Sequence, residues 1–247
     1  MKQILVYISV VFVFGCNKSS DSFSAAPNPT GQGGSMARFT IVDDYLYAVD
    51  KQNLKVFDIS SPSTPVFKKS VPVGFEIETI FPFAGKLFLG STTSVHIVSL
   101  ADPANPVKLS EAISPTVMRR CDPVVAKDSV AYATLRANGS CGGVQSILAV
   151  FDIRSITQPV QVEAIPVSEP YGLGYAGNTL YVCDGQLGLL VFDISNEYNP
   201  VLVRQIPGVD ARDVIPYQST LICWTTSGMS LYDISDPLDP SLLIHIN

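Results

Sequence analysis

One short unit recurs five times along the chain, and this recurrence constrains the fold more than any other property of the sequence. Val56-Phe57-Asp58-Ile59-Ser60-Ser61-Pro62 returns as Val150-Phe151-Asp152-Ile153-Arg154 and as Val191-Phe192-Asp193-Ile194-Ser195. It returns again as Leu231-Tyr232-Asp233-Ile234-Ser235-Asp236-Pro237. Ile97-Val98-Ser99-Leu100-Ala101-Asp102-Pro103 is a degenerate copy in which Ser99 stands in for the aspartate. A proline follows seven residues after each anchor, at Pro65, Pro106, Pro159, Pro200 and Pro240. The anchors Asp58, Ser99, Asp152, Asp193 and Asp233 are spaced 41, 53, 41 and 40 residues apart, the long interval being one period plus an insertion.

A period near 40 with several short strands per unit is the pattern of a β-propeller, one repeat per four-stranded blade. The fourth unit shows the strands best: 171–176, 179–183, 189–194 and 201–206, with Gly177-Asn178 and Asp184-Gly185 as turns. Asn, Asp and Gly suit such turns because they tolerate positive φ or bond their own backbone. The third strand is almost continuously apolar, as expected where neighbouring blades cover both faces. The anchor aspartate is expected to cap the turn into the fourth strand. The trailing proline starts an outer edge strand, where a missing N–H does least harm. The fold class is therefore all-β: a five-bladed β-propeller with four antiparallel strands per blade. The units run over about 36–73, 74–114, 115–167, 168–207 and 208–247. Each terminal unit keeps its own four strands, so the expected ring is a monomer that closes without strand exchange.

Leu180-Tyr181-Val182-Cys183-Asp184 and Gly188-Leu189-Leu190-Val191-Phe192-Asp193-Ile194-Ser195 resemble the LVIVD repeat of bacterial extracytoplasmic propeller lipoproteins. The resemblance covers roughly residues 36–247. It implies the fold and no catalytic residue, because members of this family are mostly of unknown activity.

The first residues read as an address. Met1-Lys2 precedes an apolar run from Ile4 to Phe14, which stops at Gly15-Cys16 and turns polar at Asn17-Lys18. The run is too short to span a bilayer, which takes about 20 residues, and matches a secretory signal. Val13-Phe14-Gly15-Cys16, at the end of the signal segment (1–16), resembles the lipobox of bacterial lipoproteins, which implies that Cys16 is lipidated and becomes the first residue of the mature chain. Phe14 departs from the small or β-branched residue usual there. Residues 17–35, rich in Ser, Pro, Gly and Asn, read as a flexible tether. Ser20-Asp21-Ser22-Phe23 resembles a surface-export signal of some Bacteroidetes lipoproteins. The expected location is extracytoplasmic, at the outer membrane, with a lean towards surface display.

A formal charge of −6 and scattered basic residues disfavour nucleic-acid binding. With Cys16 lipidated, four cysteines remain. Cys121, at the start of an inner strand, and Cys141, in the Gly-rich insertion 136–146, are expected to form a disulfide in an exported protein. The likeness of this segment to a recurring insertion in the LVIVD family points the same way. Cys183 and Cys223 hold equivalent positions in adjacent units and read as small buried residues. The two histidines, His96 and His245, lie in strands without metal-ligand spacing, so neither a metal nor a Ser-His-Asp arrangement is expected. No cofactor is implied.

Propellers commonly bind ligands at a mouth of the central channel. Aligning the units by Leu46, Leu87, Ala131, Leu180 and Leu221 puts Ala37, Glu78, Asp122, Tyr171 and Arg212 at one level near the start of the inner strands. Arg38, Glu76, Arg119, Arg120, Glu169, Asp210 and Asp213 lie close by in sequence. The candidate binding residues are Arg38, Glu78, Arg120, Asp122, Tyr171 and Arg212. The first functional reading is a non-catalytic, lipid-anchored module that binds a protein or glycan there. The second is a carbohydrate-active enzyme using Glu76, Glu78, Asp122 and Asp210 as acid and base. The single tryptophan, Trp224, is expected in core or rim packing.

Overall fold

A computed structural model describes residues 33–92, 94–115, 123–137 and 145–247. Among these residues lie twenty strands in five antiparallel sheets, each built from four strands consecutive in the chain. Blade 1 holds β1 (Phe39–Val42), β2 (Tyr45–Val49), β3 (Asn53–Asp58) and β4 (Val66–Pro72). Blade 2 holds β5 (Ile77–Phe83), β6 (Lys86–Ser91), β7 (Ser94–Ser99) and β8 (Val107–Ile113). Blade 3 holds β9 (Val124–Lys127), β10 (Val130–Leu135), β11 (Ser146–Asp152) and β12 (Val160–Val167). Blade 4 holds β13 (Pro170–Ala176), β14 (Thr179–Asp184), β15 (Gly188–Asp193) and β16 (Val201–Ile206). Blade 5 holds β17 (Ala211–Tyr217), β18 (Thr220–Thr225), β19 (Gly228–Asp233) and β20 (Ser241–Ile246). The fold is the five-bladed β-propeller expected from the repeat.

Local chemistry repeats as faithfully as the sequence. The hairpin between the first two strands of each blade places at least one residue at positive φ: Asp43, Ala84 with Gly85, Asp128, Gly177 and Gln218. Twist in a tight hairpin demands this conformation, which glycine, aspartate and asparagine adopt most cheaply. At the end of each third strand the anchor side chain accepts the N–H two residues on: Ser60 to Asp58, Arg154 to Asp152, Ser195 to Asp193 and Ser235 to Asp233. Ser99 accepts Ala101 N–H in the same way, which is why serine replaces aspartate there without loss of the turn. Hydrogen bonds from Ser60, with Lys68 nearby, hold the Asp58 carboxyl down at about 2.

Blades pack by one rule. The face of blade 1 bearing Tyr47 and Val56 meets the face of blade 2 bearing Leu87 and Val98. Phe88 and Ile97 of blade 2 meet Ala131 and Phe151 of blade 3, and Tyr132 and Val150 of blade 3 meet Leu180 and Phe192 of blade 4. Tyr181 and Val191 of blade 4 meet Leu221 and Tyr232 of blade 5. Three hydroxyls reinforce these contacts, each 2.8 Å from a carbonyl of the next blade: Tyr47 to Pro103, Tyr132 to Glu197 and Tyr181 to Pro237.

The seam between blades 5 and 1 departs from the closed ring expected from the repeat. By the same rule Ile222 and Leu231 should meet Leu46 and Phe57, yet these residues belong to no core cluster and are only partly buried. Their equivalents Tyr47, Phe88, Tyr132, Tyr181 and Leu87, Leu180, Leu221 are 0% exposed. Trp224, expected in packing, is 59% exposed on the same open face. Among the described residues, the strand faces of blades 2, 3 and 4 are covered on both sides, whereas blades 1 and 5 are each covered on one.

At the hub a strap joins what the rim leaves apart. Ser35, the last residue of the expected tether, is 1% exposed and belongs to the folded body. Its hydroxyl donates to Asp213 Oδ1 at 3.1 Å and accepts Leu173 N–H at 2.8 Å. Met36 N–H reaches Asp213 Oδ2 at 3.4 Å, and Ala37 C=O accepts Ile80 N–H at 2.9 Å. Blades 2, 4 and 5 are thus tied to the segment that leads into β1. Gly172 gives Asp213 its room, since a Cβ there would lie 2.1 Å from its carboxylate.

Candidate functional site

Two of the six candidate residues come together at the mouth where the inner strands begin. The guanidinium of Arg212, on β17, lies 3.9 Å from the ring centroid of Tyr171, on β13. Arg136, just past β10, lies over the same ring at 4.3 Å. One phenol ring from blade 4 therefore gathers cations from blades 3 and 5, at separations where cation–π attraction is effective. The Tyr171 hydroxyl donates to Glu169 Oε1 at 2.9 Å, and its carbonyl accepts from Thr134 Oγ1 at 2.6 Å. Glycine at 185 permits the close approach: a Cβ there would sit 2.9 Å from Tyr171 Cε2.

The charges at this mouth are unevenly paired. Arg212 Nη2 lies 2.7 Å from Asp210 Oδ1, and Thr226 Oγ1 donates to Asp210 Oδ2 at 2.7 Å. The Thr226 hydroxyl and Arg212 hold the Asp210 carboxyl below its ordinary value. Among the described residues, Arg212 Nε has no hydrogen-bond partner and Arg136 forms no ion pair. Arg38 is exposed and Glu78 half-buried, and neither joins an ion pair among the described residues. Arg120 and Asp122 lie outside the described residues, as do Cys16, Cys121 and Cys141. Cys183 and Cys223 are buried, as read from the sequence, and free; their positions are not equivalent, because Cys183 corresponds to Trp224, and the two thiols enter one core cluster from opposite sides, blade 4 and blade 5.

Sequence reasoning missed three features. Arg136 gave no signal beyond its place in the insertion. Asp184, 0% exposed, accepts four backbone N–H groups, from Ser168 and Glu169 on Oδ2 and from Gln186 and Leu187 on Oδ1. Its equivalence to Asp50, which accepts Gln52 and Asn53 N–H, could have revealed it. The third is a cavity of about 450 Å³ at the other end of the hub, lined by Val42, Phe81, Val125, Leu173, Tyr175 and Val214, with Gly33 and Ser35 of the strap at its border. The inner strands contribute apolar residues to it, so the charged mouth and this apolar cavity occupy opposite ends.

Among the described residues no three His, Cys, Asp or Glu side chains assemble as a metal site. His96 is buried beside Glu111, with Nδ1 3.6 Å from Oε2, and its Nε2 is 3.3 Å from Ser94 Oγ. Sequence spacing gave no hint of that carboxylate, which β8 brings across from the neighbouring strand. Ser94 donates to Glu111 at 2.6 Å rather than to the histidine, and burial holds His96 well below its usual range. The trio is a polar network in blade 2 in which Ser94 and His96 are buried and Glu111 is exposed.

The LVIVD repeat family matches residues 33–73 and 175–206, covering blade 1 and most of blade 4. The chain is a β-propeller that carries LVIVD repeats at these residues. No curated protein matches its sequence. Among solved structures, this propeller is similar to the computationally designed Ika8 protein (TM-score 0.58, 11% identity, covering 89% of this chain and 63% of that one). It is also similar to a functionally unknown protein from Desulfotomaculum acetoxidans (TM-score 0.63, 12% identity, 83% and 68%). A third likeness is to the periplasmic gluconolactonase of Pseudomonas aeruginosa (TM-score 0.60, 13% identity, 85% and 67%). This propeller thus spans about two thirds of the length of the solved propellers it matches. At these identities the likeness is one of fold.

Proposed function

We propose that this propeller is a non-catalytic, extracytoplasmic binding module that holds an acidic glycan or protein segment at the Tyr171 mouth. The observation that carries the reading is the pair of guanidiniums, Arg136 of blade 3 and Arg212 of blade 5, drawn over one aromatic ring of blade 4. Arg136 has no carboxylate partner among the described residues, and a planar guanidinium binds carboxylates with two parallel hydrogen bonds. Of the carboxylates named for an acid and base, Asp210 is held by Arg212 and Thr226, and beside it Glu169 is held by the Tyr171 hydroxyl and Asp213 by the strap. The exported location rests on the signal-like residues 1–15 and on the fold shared with a periplasmic protein. In this reading lipid on Cys16 anchors the module at the outer membrane, and Cys121 and Cys141 staple the insertion that carries Arg136.

Calorimetric titration with an oligouronate, a polyglutamate peptide and a neutral glucan tests the reading, using the chain from Gly33 onward, which holds all the strands and packed interfaces described. Binding of an acidic ligand and not of the glucan is expected. Arg136→Ala and Arg212→Ala should each weaken binding by about tenfold or more, since a charge-assisted hydrogen bond contributes about 1.5–3 kcal/mol. Binding of the acidic ligands unaffected by both substitutions would move the site elsewhere. Shortening of the oligouronate during titration would replace the module with an enzyme.

A further inference from the structure

The open seam has a defined chemistry. Blade 5 presents Ile222, Trp224, Met229 and Leu231 on the face that blades 1 to 4 each turn towards their successor. Blade 1 presents Leu46 and Phe57 on the face that blades 2 to 5 each turn towards their predecessor. Trp224 is 59% and Met229 42% exposed, while the corresponding contact residues Val49, Leu54, Val95, Leu148, Cys183 and Leu189 of the packed interfaces lie at 0–8%. Large apolar residues grouped on an open sheet face mark an interaction surface. Four interfaces within this chain show what covers such a face: a blade offering the opposite one.

We propose that the seam is a self-association surface, on which the Ile222–Leu231 face of one copy receives the Leu46–Phe57 face of a second copy. Each copy carries one face of each kind, so the contact is head-to-tail rather than isologous. Two copies close on each other if the geometry permits, and otherwise the contact repeats along a chain of copies. The interaction reproduces between molecules the same packing that joins blade 4 to blade 5 within one. It replaces the single-chain ring that the repeat number alone implies. The strap does not substitute for it, because Ser35 and Met36 engage Asp213 at the hub while the open residues lie on β2, β3, β18 and β19.

Trp224 is the only tryptophan, so its emission reports the seam directly. The chain from Gly33 onward is followed by sedimentation velocity and tryptophan emission over about 1 to 100 µM, the range of a moderate protein–protein affinity. The expected result is a rise in mass to a dimer or higher multiple, with emission moving to shorter wavelength over the same range. Ile222→Glu and Leu46→Glu should each abolish the homo-oligomer, and far-UV circular dichroism should show both variants folded, since both positions are partly open. Mixed together, the two variants should form a 1:1 complex, because each retains the face that the other has lost. A monomer with long-wavelength emission at every concentration would overturn the proposal. So would a monomer whose Trp224 emits at short wavelength, which would mean that the seam closes within one chain. Self-association untouched by either substitution would place the contact on another surface and equally overturn it.

Discussion

Asp213 allows the hub strap to be tested quantitatively. Its carboxylate receives Ser35 Oγ and the N–H groups of Met36 and Val214, and burial pushes it from 3.8 up to about 6. A carboxyl raised in the folded state binds its proton more tightly there than in the unfolded chain. Its contribution to stability is therefore full below about pH 4 and is lost as pH rises through about 6. The interval between 3.8 and about 6, at 1.36 kcal/mol per pH unit, corresponds to about 3 kcal/mol. Asp213→Asn removes the titration while keeping the size of the side chain. His96 titrates with the opposite sign: buried and neutral in the fold, it adds stability as pH rises towards its unfolded value near 6.5. The informative quantity is thus the difference between the parent and the variant, in which His96 cancels. Urea unfolding at about pH 4, 5, 6 and 7 should show the parent losing about 3 kcal/mol relative to Asp213→Asn across that range. A difference that stays constant with pH would refute the reasoning. It would show that Asp213 titrates as an ordinary solvated carboxyl and that the strap does not shelter it.

Other substitutions follow from the packing. Tyr181→Phe removes the bond to Pro237 and should cost about 1 kcal/mol in urea unfolding, whereas Phe88→Tyr, at the equivalent position in blade 2, gives a control without an established partner. Asp184→Ala leaves four backbone N–H groups without their acceptor and should destabilise by on the order of 3 kcal/mol, read as a lowered melting temperature. Gln218→Gly relieves a positive φ of 53° and should raise stability by up to about 1 kcal/mol. Burial pushes the Cys183 thiol well above its usual value, so a maleimide should leave it unmodified in the native protein and label it in urea.

What the sequence determined by itself is everything that depends on neighbours along the chain. The 40-residue period specified five blades, and alternation with turn residues specified four strands in each: those read at 171–176 and 201–206 appear at Pro170–Ala176 and Val201–Ile206. The role of the anchor aspartates was legible because an Asx turn needs only the next two residues, and Ser99 kept it. The level shared by Tyr171 and Arg212 was legible because equivalent positions of a repeat occupy equivalent heights. Only the tertiary structure decided the rest. Arg136 reaches Tyr171 from a segment outside the repeat, so no periodicity could place it. Ser35 joins Asp213 across 178 positions of sequence, a contact that no local rule contains. The seam shows the distinction most clearly. Each blade's faces follow from its own residues, but whether the fifth face meets the first depends on the small rotation between neighbouring sheets, summed around the whole arc, and no single repeat encodes that sum.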